Sequence, residues 1–318
     1  QKKFRRNGKE VDAEVRGALV ERMREGVELE EDQKKVFGEL EELFGGEGEG
    51  GWKPQKSPYE GVKMEIKYSQ QKKGERSIAL GRAYGNADCT AEEAAAWYFE
   101  YCGRERNTLG FQAGDLARLE VRKGVQRRNE KLIASVKKLP LLLNNREFVF
   151  RNLWKKNEND SISVGSWPSD DEIDYGGEIK NVVRAEGRGL LIATNISKEG
   201  GIAQCKLDFK QHLDFGGFIP LKLVEKKIPK QLQILHEIQE TFKQDEEIDK
   251  AALENLANIM RNEQQNYTDE EQKAIREGKE FYEKCKVEEN FDDLKSPEPR
   301  VKMKLVHVDG ASSGTGVA

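Results

Sequence analysis

The sequence predicts an α+β fold, and three observations carry that prediction. Apolar residues recur at helical spacing near the beginning of the chain and again over 216–242. Between about 116 and 215, short stretches alternate apolar and polar residues and are separated by polar turns. These strand-like stretches follow one another without helices between them. Strands in series pair antiparallel with helices set at the flanks, whereas a parallel sheet needs strand and helix to alternate.

Residues 1–27 are highly charged and read as a linker or the end of a helix. A helix is expected from about Glu28 to Phe44, with Val36, Leu40, Leu43 and Phe44 on one face. It stops at a glycine cluster that matches GxGxxG at Gly46, Gly48 and Gly51. A dinucleotide loop needs a strand before it and a helix after it. This run follows a helix and leads into Trp52-Lys53-Pro54, so it is read as a turn. Val62, Met64, Ile66 and Tyr68 alternate with polar residues as in a half-buried strand, and a second strand covers about 77–87. Thr90 and Glu93 form a capping box ahead of a helix carrying Ala94, Trp97, Tyr98 and Tyr101, which ends near Cys102-Gly103.

Seven strands are expected next, at 116–124, 130–138, 147–155, 160–167, 179–185, 188–196 and 202–215. In the last, Leu207, Phe209, Leu213 and Phe215 alternate with Lys206, Asp208, Lys210, His212 and Asp214, so one face meets a core and the other water. The acidic loop 169–177 is expected to be mobile. Residues 216–242 form a long amphipathic helix whose stripe includes Phe218, Ile219, Leu223, Val224, Ile228, Leu232, Leu235, Ile238 and Phe242. Pro229 lies inside it and lacks the amide for a bond to the preceding turn, which predicts a kink. Residues 244–266 read as a charged helical connector, and Thr268 with Glu271 caps another helix.

The end of the chain echoes its beginning. EEDQKKV (30–36), Trp52 and KSPYEGVKMEI (56–66) return as DEEQKAI (269–275), Phe291 and KSPEPRVKMKL (295–305), all at one offset, 295 − 56 = 239. A repeat this long implies modules that each own a core, not solenoid units. The expected organisation is a charged linker (1–27), a module (28–243), a connector (244–266) and the opening of a second, truncated module (267–318). The chain opens on Gln1 and reads as a piece of a longer protein.

Composition narrows the function. Charged residues make up 35% of the 318 residues and hydrophobic ones 36%, and the net charge of −4 offers no global field for nucleic acid. The basic residues of 118–131 (Arg118, Arg122, Lys123, Arg127, Arg128 and Lys131) have no aromatic interleaved. They are read as a solvated strand face in preference to a site for nucleic acid or anionic headgroups. No apolar run approaches the roughly 20 residues that span a bilayer, and no signal-peptide pattern opens the chain. The four cysteines lack CxxC spacing and read as reduced thiols of a cytoplasmic protein. Three histidines, none at ligand spacing, offer no metal site. Cys205 and His212 fall on opposite faces of one strand, so they do not make a nucleophile pair. There is no GxSxG or Walker loop.

The order of the elements, REFVFRNLW (146–154), the paired strands from VVRAEG onward and DFGGFIPLKLVEKKIPKQL (214–232) together resemble a START domain, the module related to the steroidogenic acute regulatory protein. Glu147 stands where the family carries aspartate. The resemblance covers about 28–243 and again the start of a second copy at 267–318. It implies a helix-grip fold, in which a curved antiparallel sheet wraps the C-terminal helix and leaves a cavity. It also implies non-catalytic binding of a lipid or other apolar small molecule, for transfer or sensing, with transient contact at membrane surfaces. No cofactor, metal or nucleic-acid partner is expected, and the oligomeric state is open. Candidate lining residues are Phe148, Phe150, Trp154, Leu207, Phe209, Leu213, Phe215, Phe218, Leu223, Val224 and Ile228, each of which as plain core would show the same alternation. Arg151, Arg184 and Gln211 are the leading headgroup candidates, with Asn152, Gln204 and His212 beside them, and Pro229 is the candidate hinge. Two alternatives remain open at this point: a small-molecule enzyme of the wider helix-grip group, resembling cyclases or hydrolases, and a tandem interaction module with a vestigial cavity.

Overall fold

The computed structural model describes residues 15–45, 52–68, 79–121, 127–139, 143–177, 179, 182–196, 201–216, 229–261 and 268–288. The chain divides into two compact units, Gln1–Asn255 and Leu256–Ala318.

In the first unit, residues 15–25 are helical (α1) and are followed by α2 (Glu31–Gly45). Three strands come next: β1 (Lys53–Gln55), β2 (Lys63–Tyr68) and β3 (Ala79–Ala87). Helices α3 (Ala91–Phe99) and α4 (Arg104–Gln112) lead to six strands: β4 (Asp115–Val121), β5 (Glu130–Lys137), β6 (Asn145–Lys156), β7 (Ile162–Pro168), β8 (Val182–Asn195) and β9 (Cys205–Asp214). A helical turn at 229–232 precedes α5 (Ile234–Thr241), and α6 (Asp245–Arg261) follows, its residues beyond Asn255 falling past the end of this unit. All nine strands form one sheet in the order β1-β2-β3-β9-β8-β7-β6-β5-β4. Neighbours pair antiparallel, and a short parallel pairing joins Asn145–Phe148 of β6 to Val182–Ala185 of β8. The architecture is α+β, a helix-grip arrangement in which residues 229–241 pack against the sheet and bury Leu232, Leu235 and Ile238.

The sheet uses its two faces differently. On one, α3 and α5 share a core with Met64, Ile66, Ala83, Trp154, Leu191, Leu207, Phe209 and Leu213. The predicted capping box begins α3: Thr90 Oγ1 accepts from the Glu93 amide and Glu93 Oε2 accepts from the Thr90 amide. On the other face, α2 lays Val36, Phe37 and Leu40 over Leu153 and Leu190. Gly165 makes that approach possible, since a Cβ there would stand 2.7 Å from Leu40 Cδ1. Gln33 fixes the helix's rotation by donating to Asn129 Oδ1 (3.2 Å) and Glu130 Oε2 (2.9 Å).

Several elements differ from the sequence reading for identifiable reasons. Residues 15–25, within the stretch read as a linker or the end of a helix, form a helix because Leu19, Val20 and Met23 recur at helical spacing and are buried in the main core. The strands expected at 179–185 and 188–196 are one strand, β8, whose glycines at 187 and 189 pair with β9 without interrupting it. β1 and α4 escaped notice: the first is three residues long, and the second buries only Arg106 and Gly110. At the start of the acidic loop 169–177, Arg184 donates to the carbonyls of Ser169 (2.9 Å) and Asp171 (2.8 Å). Of the C-terminal helix, 217–228 lie outside the described residues. The break seen beyond them falls at Gln233, where 229–232 gives way to α5.

In the second unit, α7 (Asp269–Glu288) starts at the predicted capping box, with Thr268 Oγ1 accepting from the Glu271 amide and Glu271 Oε2 from the Thr268 amide. The repeated stretch 295–305 lies outside the described residues.

Candidate ligand cavity

Register settles which side of each strand faces inward. On β9, Leu207, Phe209, Gln211 and Leu213 oppose Ala193, Leu191, Gly189 and Gly187 of β8. On β6, Phe148, Phe150 and Asn152 share that face with Ser135 and Ile133 of β5, which lie opposite Phe148 and Phe150. Between this concave face, α3, α4 and the 229–241 stretch lies a cavity of about 160 Å³. That is smaller than the roughly 300–1,000 Å³ of most small-molecule sites and suits a compact group.

Of the lining candidates, the structure brings Phe148, Phe150, Phe209, Leu213 and Phe215 together on the cavity wall, joined by Tyr98, Leu109, Leu139 and Ile234. Tyr98 meets Phe209 edge to face at 5.7 Å, and Phe148 meets Phe215 likewise at 6.3 Å. Trp154 and Leu207 point to the same side but lie in the packed core away from the cavity. Phe218, Leu223, Val224 and Ile228 fall outside the described residues. Pro229 opens the helical turn 229–232, and its neighbours Lys230 and Gln231 reach the wall. Gly187 and Gly189 are wall residues whose missing side chains leave the space. A Cβ at 187 would stand 3.6 Å from Leu213 and Phe148, and one at 189 would stand 3.4 Å from the Tyr98 hydroxyl.

The polar candidates separate by face. Gln211 and Asn152 line the cavity, and Gln211 Oε1 is buried without a hydrogen-bond partner. Arg151 does not: its odd position on β6 turns it to the α2 side, where it donates to Glu130 (2.5 Å) and Asp32 (2.8 Å). Arg184 is also on the outer side, 3.0 Å from Glu147. Gln204 bonds to Asp88, away from the cavity (2.9 Å). His212 faces opposite Cys205 on β9, and burial pushes its pKa down, helped by the neighbouring Arg188. Of the basic run at 118–131, Arg122 and Lys123 lie outside the described residues, and Arg118, Arg127 and Lys131 are paired with carboxylates. Arg127 meets Asp32, Glu30 and Glu130, and Lys131 bridges Glu100 and Glu120.

The sequence reading missed the cationic end of the cavity. Arg106, 6% exposed, lies 4.6 Å from the Trp97 ring centre and 5.1 Å from that of Tyr101, and donates to the Tyr98 carbonyl. Burial lowers its pKa. Arg118 stacks 3.8 Å over Tyr101 and donates to the carbonyls of Tyr101 (2.7 Å) and Arg106 (2.9 Å). Buried Asp115 is shared between Arg118 (3.5 Å) and Lys137 (3.4 Å). Arg146, 3% exposed, donates to the carbonyls of Phe215 (2.5 Å) and Gly216 (3.3 Å). Period-two counting from Phe148 would have found Arg146. Nothing in the alternation marks α4 or the start of β4.

No known sequence family and no curated protein matches the chain. Solved structures do. Human StAR-related lipid transfer protein 5 is 17% identical, with 67% of this chain and 95% of that one covered at a TM-score of 0.50. The lipid transfer and protein localization domain of human StarD13 is 15% identical, with 68% and 99% covered at 0.47. Human STARD10 is 16% identical, with 69% and 83% covered at 0.48. Identities this low speak to architecture alone, and on the first likeness the chain shares the fold of a StAR-related lipid transfer domain.

Proposed function

We propose that the chain binds a lipid or other apolar small molecule in this cavity and carries or senses it without transforming it. The observation that supports this most is the wall itself. Phe148, Phe150, Phe209, Leu213 and Phe215, with Tyr98, Leu109, Leu139 and Ile234, surround an unfilled space that two strand glycines keep open, where a packed core would have filled it. The names of the structures that share the fold point the same way. Enclosure is the physical requirement for such a carrier, because each methylene left in water costs about 0.8 kcal/mol. A molecule larger than the cavity enters when the 229–241 stretch shifts, with Pro229 as the hinge. That motion breaks the contacts of Lys230 with the Ala113 carbonyl (3.3 Å) and of the Tyr59 hydroxyl with Gln233 (3.1 Å). Loading and unloading take place in transient contact with a membrane surface.

Native mass spectrometry of the full chain, as purified and after mixing with liposomes of mixed lipid classes, tests this. A bound species of lipid mass is expected, and Gly189→Val, which fills the wall, should remove it while leaving the circular-dichroism spectrum unchanged. A clean unliganded mass under both conditions would sink the proposal.

A further inference from the structure

The cavity wall carries more cations than anions. Seven lysine and arginine side chains line the cavity as a whole, against two carboxylates, Asp115 and Glu237, among the described residues, and Arg188 is paired outside the lining with Glu186. Asp115 is divided between Arg118 and Lys137. Arg106 donates to carbonyl oxygens and lies against ring faces, and Glu237 is the carboxylate whose charge reaches it among the described residues. Buried cations without counter-charge are costly, and proteins rarely leave them so.

Two hydrogen-bonding groups are also left over at the cationic end. Arg118 and Ser135 sit directly opposite each other in the β4–β5 register, and Lys137 opposes Asp115 one step along the same face. Ser135 is fully buried, yet its Oγ has no partner, and the Nε of Arg118, whose side chain is 6% exposed, has none either. Both line the cavity. A hydroxyl and a guanidinium N–H left unmet at paired positions, with an ammonium beside them, make a seat for an oxyanion.

Building on the apolar cavity proposed above, we infer that Arg118, Ser135 and Lys137 seat the anionic group, a carboxylate or a phosphate monoester, of an otherwise apolar ligand. The Phe148–Phe209–Leu213 wall takes the tail, and the anion adds counter-charge beside Arg106 and Arg118, whose carboxylates are Glu237 and an Asp115 shared with Lys137.

The test uses the full chain and three six-carbon probes short enough for about 160 Å³: hexanoate, hexyl phosphate and hexan-1-ol, titrated by NMR at low salt. The anionic probes should bind at least about tenfold more tightly than the alcohol, the ratio expected of one charge-assisted hydrogen bond. In Ser135→Ala and Lys137→Gln this preference should shrink several-fold while hexan-1-ol affinity stays constant. These two variants carry the test even where Arg118→Gln fails to fold. A preference for hexyl phosphate identifies a phosphate headgroup as the source, and one for hexanoate a free acid; either supports the seat. Equal binding of all three probes overturns the anion seat and leaves the apolar cavity standing. Binding of none overturns both.

Discussion

At position 216 the backbone turns with φ of +63°, and a Cβ there would stand 2.4 Å from the Arg184 carbonyl oxygen. A side chain at this point meets both backbone strain and an obstacle that cannot rotate away. Gly216 also lends its own carbonyl to Arg146, whose guanidinium holds the end of β9 at the cavity. Gly216→Ala is therefore expected to lower stability by about 1–3 kcal/mol, read from urea midpoints, and to reduce retention of ligand. Gly176→Ala is the control, because its φ is +72° but a Cβ there meets nothing within 4 Å. If the two substitutions cost the same, the close approach to Arg184 contributes nothing. Residues of this kind are hard to read from sequence. Glycine alone does not say which atom is near, and Ser135 becomes distinctive only when register sets it opposite Arg118.

Helix α2 shows what an element owes to its partners. Its apolar stripe was legible from periodicity, but the rotation that seats it comes from Gln33 and from Asp32, which accepts from Arg127 and Arg151 at 2.8 Å each. The hydrogen bond from Arg127 is the main cause that holds the Asp32 carboxyl at about 2, below its ordinary 3.8, with Arg151 assisting against the cost of burial. A carboxyl depressed in the folded state contributes stability that is full above the unfolded value and is lost as pH falls through the folded one. Asp32→Asn should then cost on the order of 1 kcal/mol or less at pH 5, as partly exposed pairs do. The gap between variant and wild type should close between about pH 4 and pH 2. Urea midpoints across that range check it; a gap independent of pH would show that packing by α2, not the charge, sets the difference.

At the scale of the whole molecule, the sequence carried the order of most elements and the apolar face of β9, because both follow from local periods of 3.6 and 2, though not which sheet face lines the cavity. It did not carry the ends. A region rich in charge reads as linker unless its few apolar residues are counted, and α1 places Leu19, Val20 and Met23 in the core while exposing most of its other side chains. Three apolar side chains therefore decide the structure of this charged segment. The cationic end of the cavity was missed for a related reason: α4 and β4 contribute arginines, and an arginine in sequence looks like surface until the fold encloses it. The status of α1 has a direct consequence for where the folded unit that holds the cavity begins. A chain starting at residue 15 keeps α1, whereas one starting at residue 28 loses three core side chains. Removing even one large buried side chain costs about 2–5 kcal/mol, so the shorter chain should melt well below the longer one. Met23→Ala in the full chain should reproduce part of that loss, since Met23 is 0% exposed. Equal melting temperatures for the two truncations would mean that α1 packs without stabilising, and the unit would then begin at α2.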